Sequence, residues 1–279
     1  EILVVDNNSE TPEARAWLDG LNSMGLPNLR VLRYPKPFNF SAINNFAVTQ
    51  SRGDYVLLLN NDTGIIKEDW LDALMNHAQR PEVGIVGAKL LFPNGKVQHA
   101  GVVVGMRGPA EHICIDAEAN DPGYMNRLMV DQNYSAVTGA CMLVRKSVYE
   151  QVGGLDEEAF AVSYNDIDFC LKVAQAGYLS VWTPHALVMH VANASQTSVD
   201  KTADENKVRR FQKEQEAMFQ RWLPYMGNDP AFNRNLSLRA NGFEVDHRVE
   251  LNWQPQKALG LPTILAHPAD PWGCGHYRI

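Results

Sequence analysis

Two kinds of hydrophobic patterning alternate along the chain. Short apolar runs occupy Leu3 to Val5, Leu29 to Arg33, Tyr55 to Leu59, Val83 to Val86, Val102 to Val104, Ala140 to Val144 and Ser180 to Trp182, and these predict strands. Tyr55-Val56-Leu57-Leu58-Leu59 shows no alternation at all, the signature of a strand covered on both faces. Between the runs, apolar residues recur at helical spacing. Ser41 can cap a helix reaching about Gln50, with Ile43, Phe46 and Ala47 inward and Gly53 at its end. Trp70, Leu71, Leu74 and Ala78 form a second stripe, closed by Pro81. A third helix is expected from Ile167 to Gln175, and Val208, Phe211, Met218 and Trp222 mark a late amphipathic one. Residues 106–133 have little periodicity and several Gly, Pro and Asp, so they read as a long loop. This βαβ rhythm predicts an α/β fold with a mostly parallel sheet and helices on both faces.

The ends change the domain picture. Glu1 leads straight into a core-type run, and Thr263 to His267 begins another close to the C-terminal end. The expected organisation is a main domain over 1–225, an extension or linker over 226–262, and the start of a further domain over 263–279, all part of a longer protein. The 279 residues, 45% of them hydrophobic, are enough for one large core. A net charge of -7 argues against nucleic acid as a partner, since phosphate binding favours a basic face. No apolar run approaches the roughly 20 residues that span a bilayer. Cys114, Cys141, Cys170 and Cys274 are widely spaced and form no C-x-x-C pair, so reduced thiols and a cytoplasmic setting are expected.

In sheets of this class ligands sit beyond the carboxyl ends of the strands, which directs attention to Asp6 and to Asn60-Asn61-Asp62. An acid there can hold Mg²⁺ or Mn²⁺ on a diphosphate; the same residues also suit an Asx turn. Asp166 and Asp168 open the third helix. One could cap while the other serves as a general base, or both could merely complement the helix dipole. His190 ends an apolar run, where a metal ligand and an ordinary core histidine look alike.

The order of the motifs carries more than any one of them. Val4-Val5-Asp6-Asn7-Asn8-Ser9, Pro37 to Phe46, Asn60-Asn61-Asp62, Val86 to Leu91 with Gln98-His99-Ala100-Gly101-Val102, Thr138-Gly139-Ala140-Cys141, and Gly153 to Glu157 with Asn165-Asp166-Ile167-Asp168 follow one another. Together they resemble family 2 glycosyltransferases of the rhamnosyltransferase-like branch, over roughly residues 1–200. The resemblance implies a GT-A fold whose first strand is missing, and a metal-dependent, inverting transfer of a sugar from a nucleotide-diphosphate donor. It implies Asp6 at the nucleobase, Asn39, Asn45 and Asn61 on the donor side, Asp62 and His190 on the metal, and Asp166 as base. The family's first D-x-D acid is Asn60 here, and the Glu before the base is Asn165. The implied acceptor is a glycan or lipid-linked saccharide of bacterial surface polysaccharide, read by residues 106–133 and the segment after His190. Peripheral membrane association would then come through other domains. The competing expectation is a GT-A-like module that binds a sugar nucleotide or glycan without turnover.

Overall fold

A computed structural model describes residues 1–191, 201–239 and 242–246. The chain runs β1 (Ile2–Asp6), α1 (Pro12–Ser23), β2 (Leu29–Arg33), α2 (Phe40–Gln50), β3 (Tyr55–Leu59), β4 (Thr63–Ile65), α3 (Trp70–Ala78), β5 (Val83–Leu91), β6 (Val97–His99), β7 (Val102–Val104) and β8 (Ala110–His112). After a 3₁₀ turn at Tyr124–Asn126 come β9 (Gln132–Asn133), β10 (Cys141–Arg145), α4 (Lys146–Gln151), α5 (Asn165–Gln175), β11 (Leu179–His190) and α6 (Lys201–Gly227).

Seven strands form the main sheet, with the path β3-β10-β5-β11-β4, while β6 pairs with β5 and β9 with β11. The sheet is mixed. β5 and β11 are parallel, β10 runs against both β3 and β5, and so β3, β5 and β11 share one direction. Alternation along these strands feeds two cores. Val83, Val86, Leu90, Cys141 and Leu143 face Leu74 and Ala78 of α3. Ile85, Leu91, Met142 and Val144 face Phe169, Leu171 and Val173 of α5 and, beyond them, Met218 and Trp222 of α6. A strand sends successive side chains to opposite faces, so β5 can be buried throughout only because both sides are covered.

β1 and β2 form a separate parallel ladder that shares no pairing with the main sheet. β3 pairs only with β10 and is an edge strand. Both faces of β3 are packed, as expected, Val56 and Leu58 against one core and Tyr55 and Leu57 against the other, while Leu59 at its end is 43% exposed. The two edges remain near each other at their starts, where the Glu1 carboxylate accepts from Arg52 N–H at 2.6 Å.

Several other expectations are revised. α1 has no strong apolar signal because only Leu18 on it is buried; Thr11 caps it by accepting from Ala14 N–H. α2 is capped by Asn39, which accepts from Ala42 N–H at 2.9 Å, and not by Ser41, whose hydroxyl donates to the Phe160 carbonyl. The short strand expected at Ser180 to Trp182 is a twelve-residue strand, with a register shift between Thr183 and Leu187 that accommodates Pro184. Residues 106–133 are packed, with Met106, Ile113 and Leu128 fully buried. Positive φ at Arg107, Cys114, Asp116, Met125 and Asn126 breaks the periodicity. The buried Lys89 ammonium holds this segment by donating to the Ala119 carbonyl at 2.9 Å. Residues 226–239 were expected in a linker, yet Phe232, Leu236 and Leu238 join the core and Arg107 N–H donates to the Leu238 carbonyl. Residues 247–279, including the expected further domain, lie outside the described residues.

Candidate active site

The carboxyl ends of β3 and β11 meet the start of β10, and the candidate residues gather there. After β3 the chain turns through Asn60 to Asp62, fixed by Asn60 N–H donating to the Ala140 carbonyl at 3.0 Å and the Thr63 hydroxyl donating to the Asn60 carbonyl at 2.7 Å. β4 then pairs antiparallel with the end of β11, which sets His190 opposite Thr63. This register brings His190 Nε2 to 3.0 Å from Asp62 Oδ1. The Asn60 amide nitrogen lies 3.2 Å from the same ring nitrogen. Asp62 and His190 therefore converge, as their placement after the two strands suggested.

Asp166 sits in the first turn of α5. Its Oδ2 accepts from Gly139 N–H at 2.9 Å and its Oδ1 from Ile167 N–H at 2.9 Å. Tyr164 precedes the helix at φ 59°, and the buried Asn165 turns its amide back to the Val162 carbonyl at 2.6 Å. Asn165 thus shapes the loop that presents Asp166. Adjacent residues serve both halves of the site: Gly139 holds Asp166, and Ala140 holds the Asn60 to Asp62 turn.

Asp168, two positions on, has a different task. It is fully buried and binds α6, with Oδ1 accepting from Arg221 at 2.8 Å and from the Trp222 indole N–H at 2.9 Å. It neither caps α5 nor reaches the cleft. Arg221 also pairs with Asp156 at 2.9 Å.

Other site expectations are redirected by the hydrogen bonds. Asn45 uses its whole amide internally: Nδ2 donates to the Leu155 carbonyl and to Glu157, while Oδ1 accepts from Tyr149 and from Leu155 N–H. With two donors and two acceptor positions occupied, it has no capacity left for a donor molecule. Asn39 uses one acceptor position on its helix cap and one donor on the Glu157 carbonyl. Both residues therefore tie α2 to the loop after Gly153. Asn61 is exposed on the turn between β3 and β4. Asp6 ends β1, where its carboxylate accepts from Ser9 N–H at 3.0 Å and pairs with Arg33. Burial pushes the Asp6 carboxyl up, but the Ser9 and Arg33 hydrogen bonds outweigh it and hold it below the usual range.

Gln98 was visible in the motif without a role. Its carbonyl oxygen lies 2.6 Å from His190 Nδ1, and its amide nitrogen donates to the His190 backbone carbonyl at 3.1 Å. Gln98 is the middle residue of β6, between Val97 and His99, and its place in the motif was the available signal. Among the described residues no group of three or more His, Cys, Asp and Glu could enclose a metal. The described cysteines are not candidate nucleophiles, since burial pushes the Cys141 and Cys170 thiols up to about 12.

The model of "Glycosyl transferase family 2" matches residues 1–153. The O-antigen biosynthesis protein RfbC of Myxococcus xanthus is 38% identical over 247 residues, which are 86% of this chain and 18% of that protein. The N-acetylglucosaminyl-diphospho-decaprenol L-rhamnosyltransferase of Mycobacterium tuberculosis is 27% identical over 214 residues, 68% of this chain and 66% of that enzyme. The chain thus spans between about a fifth and two thirds of the length of these relatives. A mannosyltransferase from Pyrobaculum calidifontis, solved with GDP-Man and Mn²⁺, superposes with a TM-score of 0.53 at 16% identity, over 80% of this chain and 55% of that one. No helix among the described residues is long and apolar enough to cross a membrane. The matched stretch contains the β1 and β3 termini that carry Asp6 and Asp62, and the chain belongs to glycosyl transferase family 2, in its rhamnosyltransferase-like branch and with a GT-A fold.

Proposed function

We propose that this chain catalyses inverting transfer of a sugar from a nucleotide-diphosphate donor to a hydroxyl of a glycan or lipid-linked saccharide acceptor, in bacterial surface polysaccharide synthesis. The observation that supports the reading is that neighbouring residues 139 and 140 anchor the Asp166 carboxylate and the turn that carries Asp62, which is paired with His190. A module that only bound a glycan would have no use for this combination.

The donor set fits a divalent cation. Asp62 Oδ1 and His190 Nε2 are 3.0 Å apart and only partly exposed, and two such ligands leave coordination positions for diphosphate oxygens. Asp62 and His190 would hold Mg²⁺ or Mn²⁺, with Asn60 contributing no charge. When bound, the ion supplies a Lewis acid that offsets charge developing on the leaving diphosphate. Asp166 takes the proton from the acceptor hydroxyl as that oxygen attacks the anomeric carbon from the face opposite the diphosphate. Gly139 N–H orients the carboxylate for this task. Asp6, at the end of β1, frames the nucleobase side.

The test is Asp166→Asn in the full-length protein. Asparagine can still accept from Gly139 N–H or from Ile167 N–H, so it keeps one of the two anchoring bonds while the proton acceptor is lost. Nucleotide-sugar binding should persist, and transfer should fall by about 10²–10⁴. Release of nucleoside diphosphate from a panel of sugar nucleotides with mixed acceptors measures this. Near-parental transfer by Asp166→Asn would remove Asp166 from the role.

A further inference from the structure

We propose that Gln98 is the positioning residue for His190, fixing which ring nitrogen faces Asp62. This rests on the metal-site reading of Asp62 and His190. Gln98 is 8% exposed, and it grips one residue twice: the side-chain oxygen meets Nδ1 at 2.6 Å, and the side-chain nitrogen donates to the backbone carbonyl at 3.1 Å. An amide oxygen can only accept, so Nδ1 must carry a hydrogen. With its hydrogen on Nδ1 directed at Gln98, the ring turns Nε2 toward Asp62 Oδ1, 3.0 Å away, as the nitrogen that would face a shared cation. The second bond, to the backbone, prevents the amide from rotating its NH₂ toward Nδ1 and so sets the direction of the first. Gln98 belongs to β6, which is tied to the end of β5 by the Leu90–His99 and Leu91–Val97 pairs. The ring of His190 is thus held from a strand other than its own. Partners that fix the tautomer of a ligating histidine typically contribute about 10–100-fold to metal affinity.

The probe is Mn²⁺, alone and with UDP, GDP or dTDP, followed by electron paramagnetic resonance in the full-length protein. Gln98→Met preserves length and removes both hydrogen bonds. Gln98→Glu keeps an acceptor for Nδ1–H and loses the donor to the backbone. Gln98→Met should weaken Mn²⁺ binding by about 10–100-fold and abolish spin-echo modulation from a directly coordinated ¹⁴N. Gln98→Glu should retain the modulation and bind within a few-fold of the parent. A purely structural role for Gln98 would not restore the nitrogen signal in Gln98→Glu alone. The proposal is overturned if Gln98→Met keeps the modulation and binds within twofold, or if Gln98→Glu loses both as Gln98→Met does. Should Gln98→Met fail to fold, the Gln98→Glu result decides in the same sense. Asp62→Ala separates the two levels. If it abolishes Mn²⁺ binding while Gln98→Met does not, the Gln98 assignment alone falls; if it leaves Mn²⁺ binding unchanged, the metal site itself is wrong.

Discussion

Removing the Asp168 carboxylate should damage stability more than any other change near the cleft. In Asp168→Ala the Trp222 indole N–H, buried beneath α6, loses its acceptor, and an unsatisfied buried donor costs about 1–3 kcal/mol. Arg221 loses one charge-assisted bond of about 1.5–3 kcal/mol. It keeps Asp156 at 2.9 Å and its side chain is 39% exposed, so it is not left as an orphaned buried charge. Lys172, 3.5 Å from Asp168 and closer to water, adds little. The two contributions together come to about 2.5–6 kcal/mol. At 2–4 °C per kcal/mol for a domain of this size, the melting midpoint should fall by roughly 10 °C. Urea unfolding followed by tryptophan fluorescence, with the slope compared between parent and variant, measures the loss directly. A loss under about 1 kcal/mol would refute the network energetics. Loss of transfer at unchanged stability, together with near-parental transfer by Asp166→Asn, would move the role of base from Asp166 to Asp168.

Two further perturbations follow from the same region. Gly154 has φ 67°, and an added Cβ would come within 2.6 Å of Asn45 Oδ1, whereas Gly153 at φ 79° has open space around it. Gly153→Ala should cost only the left-handed backbone strain, about 1–2 kcal/mol, and Gly154→Ala measurably more because Asn45 must also move; equal losses in urea unfolding would contradict this. Burial acts to raise the Asp156 carboxyl, but Ala159 N–H, Arg221 and Glu158 N–H outweigh it and hold it below its usual 3.8. A carboxyl lowered in the fold stabilises above its unfolded value, and the contribution disappears as pH falls from about 3.8 through the folded value. Asp156→Asn should therefore flatten the acid limb of the stability–pH curve and leave its slope near neutrality unchanged; an unaltered acid limb in urea midpoints would count against it.

The βαβ rhythm and most strand positions were legible in the sequence because burial on both faces writes itself as apolar runs: β5 and β10 follow directly. Asp62 and Asp166 stand out through motif order, and His190 through its place in the family resemblance. Other features depended on partners far along the chain. Asn45 looks like a donor-side residue until Leu155 and Tyr149, more than a hundred positions away, are seen to consume its amide. Asp168 looks like a helix-start acid until α6 supplies Arg221 and Trp222. Leu59 reads as core because its type is apolar, yet its exposure depends on which strand lies beside β3, and local patterning does not encode that. Gln98 was concealed for another reason: a polar side chain in a mixed stretch, Lys96-Val97-Gln98-His99, has no evident partner until His190, 92 positions on, is seen in its grip.

The division of the sheet has a dynamic consequence. The ladder of β1 and β2 reaches the rest of the protein through side chains and α2: the Glu1 bond to Arg52, Arg30 donating to the Gln50 carbonyl, and the Tyr34 ring 5.5 Å from Phe46. Backbone pairing propagates cooperativity between neighbouring strands, and here that propagation stops at β3. The β1–β2 half should therefore open as its own unit, at a lower free energy than the β5–β11 centre. Under native conditions the amides of Val4 and Leu32 should exchange with deuterium faster than those of Val86 and Val181. A ligand bridging Asp6 and Asp62 would do what no ladder does here and couple the two halves, so the largest gain in protection on binding would appear in β1 and β2, far from the sheet's most stable strands.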